Sequence, residues 1–308
     1  MTLSAAPPAI EARVVAAHGR HLSIVDAQGH EHAARVFGRD VQVVCGDRVD
    51  CRHDAQHDVW HVLRALPRRS ELHRSNARGR GELVAANVDL LVVVIAALPE
   101  PDLFVVDRYL AAAACAPADA LLLLNKSDLP AAGDLQPQLG AYVRAGYPLL
   151  RCSTRSGAGL DELRARLRGH TALLVGQSGV GKSSLLRTLV PDNEARIGEL
   201  MRDNAGRHTT TATSLHALPG GGELLDSPGV RDFAPALERL ETRSLGFVEI
   251  AAAGTDCRFA DCRHYDEPGC GVRAAVTAGA IAARRYESYR RLRRAHDDFM
   301  RRLRSGGH

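Results

Sequence analysis

The sequence predicts a multidomain protein of three parts: an N-terminal β-barrel, a central α/β domain, and a mostly helical C-terminal domain that binds a metal. Three observations predict it. Residues 10 to about 66 are short β-prone segments broken by turn residues. From Val88, continuous apolar segments alternate with helical ones, the pattern of a parallel sheet covered on both faces. Further on, three of the seven cysteines crowd between Cys257 and Cys270 with a histidine among them.

The barrel strands read as ARVVAA, HLSIVDA, HAARVF, VQVVCGDRVD and HVLRAL, separated by HG, QGH and GRD. Five strands match an OB-fold in number, and an SH3-like barrel would give the same pattern. Residues 1–70 are expected to form this barrel, which could contact RNA or serve as a mere spacer. PRRSELHRSNARGRG, Pro67 to Gly81, is polar, arginine-rich and without apolar period, so it reads as a linker.

The α/β domain is expected over residues 75–235. Its strands are VDLLVVVIAA, DALLLLNKSDL, YPLLRCS, TALLVG, TSLHAL and GGELLDSPG. Between them lie helices at LFVVDRYLAAAAC, Leu135 to Ala145, LDELRARL and the segment after TALLVG. Residues 236–308 read as mostly helical and close with a basic helix from Ala274 to Arg304.

The longest apolar run, Leu90 to Leu98, is about half of what spans a bilayer, and Met1 to Ile10 lacks a basic start. A membrane protein and an exported one are therefore not expected. Seven scattered or clustered cysteines fit a reducing compartment, the cytoplasm, better than a disulfide framework. From Gly271 to His308 ten arginines face Glu287, Asp297 and Asp298, an excess suited to phosphates or simply to a solvated helix face. The chain has only two lysines, Lys126 and Lys182, and both fall inside motifs. A compact ammonium and a planar guanidinium are not interchangeable at a close-fitting site, so their retention supports a role.

Gly176, Gln177, Ser178, Gly179, Val180, Gly181, Lys182 and Ser183 satisfy G-x-x-x-x-G-K-S between a strand and a helix, with Ser184 following. Glycines let backbone N–H groups surround phosphates, Lys182 reaches the β- and γ-phosphates and assists catalysis, and Ser183 offers its hydroxyl to Mg²⁺. NKSD supplies the base: Asp128 accepts from the ring N–H and amino group of guanine, Asn125 faces O6 and N7, and Lys126 lies along the ring beside Ser127. Adenine offers Asp128 no such donor pair, although Asn, Ser and Asp also favour helix caps. Ser153, Thr154 and Arg155 of CSTRSGAGL stand where a second guanine-contacting loop belongs.

DSPG, Asp226 to Gly229, ends a strand: Asp226 holds Mg²⁺ through water and the Gly229 amide senses the γ-phosphate. RHTTT offers Thr210 to the same Mg²⁺. In most chains with these motifs the phosphate loop precedes NKSD; here it follows. Joining the old termini of a GTPase fold and cutting an exposed loop gives this order, so the pattern is that of a circularly permuted P-loop GTPase. DSPG then leads directly into the C-terminal domain, which predicts that hydrolysis repositions that domain.

Cys257, Cys262, His264 and Cys270 form C-x4-C-x-H-x5-C. Three thiolates and one imidazole close a tetrahedron, suited to one structural Zn²⁺. A zinc deaminase would need an H-x-E partner and P-C-x-x-C, which are missing.

AANVDLLVVV, NKSDL, GQSGVGKSSLL, GRHTTT, DSPGVRDF and the cysteine cluster together resemble the RsgA (YjeQ) family of small ribosomal subunit biogenesis GTPases. The resemblance implies an OB-fold, a permuted GTPase domain and a zinc domain. It further implies GTP hydrolysis to GDP coupled to late 30S maturation, contacts to 16S rRNA, and release after hydrolysis. A monomer suffices. Val230 stands where many GTPases carry a water-orienting glutamine, so another group is needed. His208 is the candidate catalytic residue; a potassium ion or a ribosomal group in trans are rivals. The alternative function is a nucleotide-gated rRNA-binding module with incidental hydrolysis; Asp128 argues against an ATPase.

Overall fold

The first sixty-odd residues alternate small or branched apolar side chains with polar ones, and that alternation closes a barrel. The structure, a computed structural model, describes residues 9–38, 41–76, 80–190, 213–226 and 236–305. Strands β1 (Ile10–His18), β2 (His21–Asp26), β3 (Glu31–Val36), β4 (Arg48–Asp54) and β5 (Val59–Ala65) pair in the order β1-β2-β3-β5-β4, and β1 pairs β4 to close the ring. Val14, Leu22, Ile24, Val49, Cys51 and Val62 fill its interior. The parallel β3–β5 pair among antiparallel ones makes this a Greek-key barrel of the OB type.

Two expectations for this region need correction. VQVV does not extend the fourth strand. The buried Asp47 carboxylate accepts the Val44 N–H at 2.9 Å, and the Asp47 N–H donates back to the Val44 carbonyl at 3.2 Å, so the chain turns before β4. Nor is Pro67 to Gly81 a free linker. Arg68 is held on Asp47 at 2.7 Å, Leu72 is buried in the central core, and β6 (Glu71–Ser75) pairs antiparallel with β7 (Gly81–Ala86). A single inward leucine among polar residues leaves no periodic signal.

The central sheet joins β8 (Leu90–Ile95), β9 (Asp119–Leu124), β10 (Leu149–Arg151), β11 (Thr171–Val175), β12 (Thr213–Ala217) and β13 (Glu223–Asp226) in the order β10-β9-β8-β11-β13-β12. Every pair is parallel except β12–β13. All six residues of β8 are buried, so its alternation serves two cores. Leu91, Val93 and Ile95 pack on α1 (Leu103–Cys115) and α2 (Gln136–Arg144) through Val106, Leu110, Leu139 and Tyr142. Leu90, Val92 and Val94 pack on α3 (Leu160–Leu167) and α4 (Lys182–Leu189) through Leu163, Leu167, Leu185 and Leu189.

Strand order reverses between β8 and β11, which places a crevice at their carboxyl ends, where ligands of open α/β sheets bind. On the far edge, β12 pairs with β1 of the barrel (Ala16↔Ser214, Ala17↔Thr213), so barrel and central sheet form one eleven-stranded sheet.

The C-terminal part holds α5 (Val248–Gly254), α6 (Gly271–Thr277) and α7 (Ala283–Ser305) around Leu245, Phe247, Ile250, Val272, Tyr289 and Leu292. The basic helix expected from Ala274 is therefore two helices. Gly279 takes φ +76°, its N–H bonds the Val276 carbonyl and the Ala280 N–H bonds that of Ala275, a Schellman stop. None of the described helices is long and apolar enough to cross a membrane.

Candidate functional site

The phosphate loop leaves β11 at the crevice and enters α4. Gly176 and Gly181 have φ of +145° and +100°, and a Cβ on Gly181 would meet Asn125 Nδ2 at 2.3 Å. Only glycine lets the two loops come this close. Asn125, fully buried, donates from Nδ2 to the Val180 carbonyl at 2.9 Å and accepts from the Cys152 thiol at 3.5 Å. Lys126, itself at φ +55°, donates from Nζ to the carbonyls of Gly179 (2.7 Å) and Leu98 (2.8 Å). NKSD is thus bonded to the phosphate loop through two successive side chains, and the loops expected to bind base and phosphate form one structure.

Asp128 lies exposed at the rim with Oδ1 accepting from Ser153 at 2.6 Å. That hydrogen bond holds its carboxyl below the ordinary carboxylate range. Ser153 is buried and accepts in turn from the N–H groups of Arg155 (3.2 Å) and Ser156 (3.1 Å). The two loops expected to read guanine are therefore joined, with Thr154 in the turn that Ser153 closes. An ionised, oriented Asp128 is what a pair of guanine donors requires.

Lys182 is buried at the start of α4, where Nζ donates to the carbonyls of Gly176 and Gln177, the latter at 2.9 Å. Its ammonium is thereby held within the phosphate loop, beside the helix N-terminus. Ser183 occupies the first turn of α4 and Asp226 the carboxyl end of β13, the strand next to β11, so both sit at the same crevice. His208, Thr210, Gly229 and Val230 lie outside the described residues.

One part of this site had no signature in the sequence. The segment between β8 and α1 is a third loop: Gln177 Oε1 accepts from the Asp102 N–H at 3.0 Å and Nε2 donates to the Glu100 carbonyl at 3.3 Å. Asp102 also caps α1, accepting from Phe104 and Val105 N–H. Its only sequence clue is that it follows a continuously apolar strand, since the bond to Gln177 depends on β8 and β11 lying side by side.

Cys257, Cys262, His264 and Cys270 converge with all ligand atoms within 4.8 Å of one another. Cys257 Sγ lies 3.4 Å from His264 Nδ1 and 3.9 Å from Cys270 Sγ, and Cys270 Sγ lies 3.5 Å from Nδ1. A tetrahedron with zinc distances of about 2.3 Å to sulfur and about 2.0 Å to nitrogen has edges of roughly 3.5–3.8 Å, so the donor set fits Zn²⁺. Burial pushes the Cys262 thiol up to about 12, whereas at Cys257 burial is outweighed by N–H groups of Val272 and Gly271 at the start of α6 and the thiol is lowered. Tyr286 of α7 donates to the His264 carbonyl at 2.5 Å, and the Tyr289 ring lies against the imidazole. Helix α7 therefore braces the loop that carries the ligands.

Residues 65–235 match the model of the RsgA GTPase family. A small ribosomal subunit biogenesis GTPase RsgA of Azotobacter vinelandii is 48% identical over 254 residues, 81% of this chain and 74% of that one. The chain belongs to the RsgA GTPase family. RsgA GTPases hydrolyse GTP, and this chain is an enzyme of that class. A second RsgA, from Ectopseudomonas mendocina, is 43% identical over 91% of this chain and 83% of its own. Among solved structures, YjeQ from Thermotoga maritima superposes with TM-score 0.72 at 28% identity, covering 94% of this chain and 98% of that one. YloQ, a circularly permuted GTPase, gives TM-score 0.72 at 22% identity, a likeness of fold, over 97% and 98%.

Within this member of the RsgA family nine of the ten C-terminal arginines divide into two groups, and the tenth, Arg290, is half-buried over the Tyr265 and Tyr286 rings. Arg284, Arg285 and Arg293 are structural: Arg293 is buried and donates to the Thr242 and Arg243 carbonyls, while Arg284 and Arg285 bond Asp107 of α1. Arg273, Arg291, Arg294, Arg301, Arg302 and Arg304 remain exposed. The exposed arginine surplus, whether for phosphates or a solvated face, is smaller than the count of ten arginines suggests.

Proposed function

We propose that this chain hydrolyses GTP to GDP when stimulated by the small ribosomal subunit, and acts late in that subunit's maturation. The observation that carries the reading is the bonded pair of loops, Asn125 on Val180 and Lys126 on Gly179, which presents Asp128 for guanine over the phosphate loop. Relatives named for small-subunit biogenesis, matching more than four fifths of the chain, support the partner.

In this reading Asp128 selects guanine, with Ser153 holding its carboxylate and Thr154 beside the base. The phosphate-loop amides and Lys182 take the β- and γ-phosphates. Ser183 and Asp226, with Thr210, would hold Mg²⁺, which neutralises charge on the phosphates when bound. His208 is the proposed catalytic group. Cys257, Cys262, His264 and Cys270 would hold one structural Zn²⁺. The working division is 1–70 for the RNA-contacting barrel, 75–235 for the GTPase domain and 236–308 for the zinc domain.

The test is GTP turnover alone and with purified small subunits, with ATP and large subunits as controls. Stimulation by small subunits with GTP only is expected. Slow turnover indifferent to small subunits would leave the nucleotide site standing and remove the ribosomal assignment.

A further inference from the structure

Where the barrel, the central domain and the C-terminal part meet, the structure holds a cavity of about 870 Å³. None of its lining residues belongs to the phosphate loop, the guanine-reading loops or the cysteine cluster. Its size falls within the roughly 300–1,000 Å³ of small-molecule sites. Leu66, Ala112, Ala116, Pro117 and Leu240 give it apolar walls.

Its charged groups are unevenly matched. Arg68 is held by Asp47 and Glu71, and Arg64 by Asp50. Glu71 is the one carboxylate among the lining residues, and it is engaged by Arg68 at 3.1 Å and His73 at 3.0 Å. Arg69 and Arg239 are exposed and form no ion pair among the described residues. Two uncompensated guanidiniums from distant parts of the chain, beside apolar walls, suit a ligand with a phosphate head and an organic body. No Phe, Tyr or Trp lines the cavity, so it lacks the stacking surface that single-stranded RNA uses.

We propose that this cavity binds a small phosphate ester, its anionic group drawn by Arg69 and Arg239 and its organic part by the apolar walls. Arg69 lies in the connection from barrel to central domain, and Arg239 in the segment that follows DSPG. A bound ester would tie those two segments together.

The probe is phenyl phosphate, titrated calorimetrically into the full chain with the nucleotide site saturated by GDP and Mg²⁺. Phenyl phosphate is expected to bind more tightly than inorganic phosphate, and the Arg69→Met, Arg239→Met double variant to bind it about tenfold more weakly. Both arginines are exposed, and an unchanged circular dichroism melt establishes that the variant is folded. Absence of binding, equal binding by the variant, or binding of an RNA oligonucleotide but not of phenyl phosphate would each overturn the proposal.

Discussion

Asp107 of α1 and Arg285 of α7 meet at 2.7 Å with side chains 0% and 1% exposed. Arg284 takes the other carboxylate oxygen at 2.7 Å, and Glu249 of α5 takes Arg285 at 2.6 Å. The guanidinium also lies 4.6 Å from the centre of the Phe247 ring. This charged cluster fastens the C-terminal part to the helix whose N-cap, Asp102, contacts the phosphate loop.

Removing Arg285 leaves Glu249, 11% exposed, without that partner, and fully buried Asp107 with Arg284 alone. Arg285→Leu is expected to cost about 3–5 kcal/mol of stability, measured by urea unfolding. A cost below about 1 kcal/mol would mean that the cluster is solvated.

Asp128→Asn replaces the carboxylate that Ser153 orients, the proposed acceptor for two guanine donors, by an amide. GTP affinity is expected to fall about 10- to 100-fold with no comparable loss of ATP affinity, by nucleotide titration. Unchanged preference for GTP would remove Asp128 from base recognition.

The cysteine cluster is expected to carry one zinc per chain by elemental analysis, and Cys262→Ser to lose it. Cys262 and Cys270 belong to the same core as Phe247 and Tyr289, so metal loss should open the C-terminal part to limited proteolysis. A metal-free chain with unchanged protection would show that packing alone holds this core.

Asp26 is lowered from 3.8 to about 2, chiefly by its hydrogen bond from His32 at 2.9 Å. A depressed folded-state value means that its contribution is present above the unfolded value, near 4, and is lost as pH falls through about 2. Barrel stability should therefore decline over that window, and Asp26→Asn should flatten the decline in acid unfolding monitored by Trp60 fluorescence. The same slope in both proteins would assign it to other carboxylates.

Motifs carried by neighbouring residues were legible in the sequence: the phosphate loop and NKSD are short contiguous runs, and the cysteine cluster spans residues 257–270. The permuted order was legible too, because it is an order of motifs. Asp107 was not, since nothing near it in α1 distinguishes a buried carboxylate from a solvated one until Arg285 arrives from the far end of the chain. The Gln177–Asp102 bond and the β1–β12 pairing were hidden for the same reason. Alternation revealed that β1 was a strand, but a strand's free edge carries no mark of its second neighbour.

That second neighbour changes what the barrel can do. Backbone hydrogen bonds join β1 to β12, and Arg13 reaches across to Glu223 and Thr171 at 2.8 and 3.0 Å. A domain hung on a flexible tether would sample many headings, whereas one sewn edge to edge shares the heading of the sheet. Whatever surface the barrel grips, the crevice at the ends of β8 and β11 is aimed by the same grip.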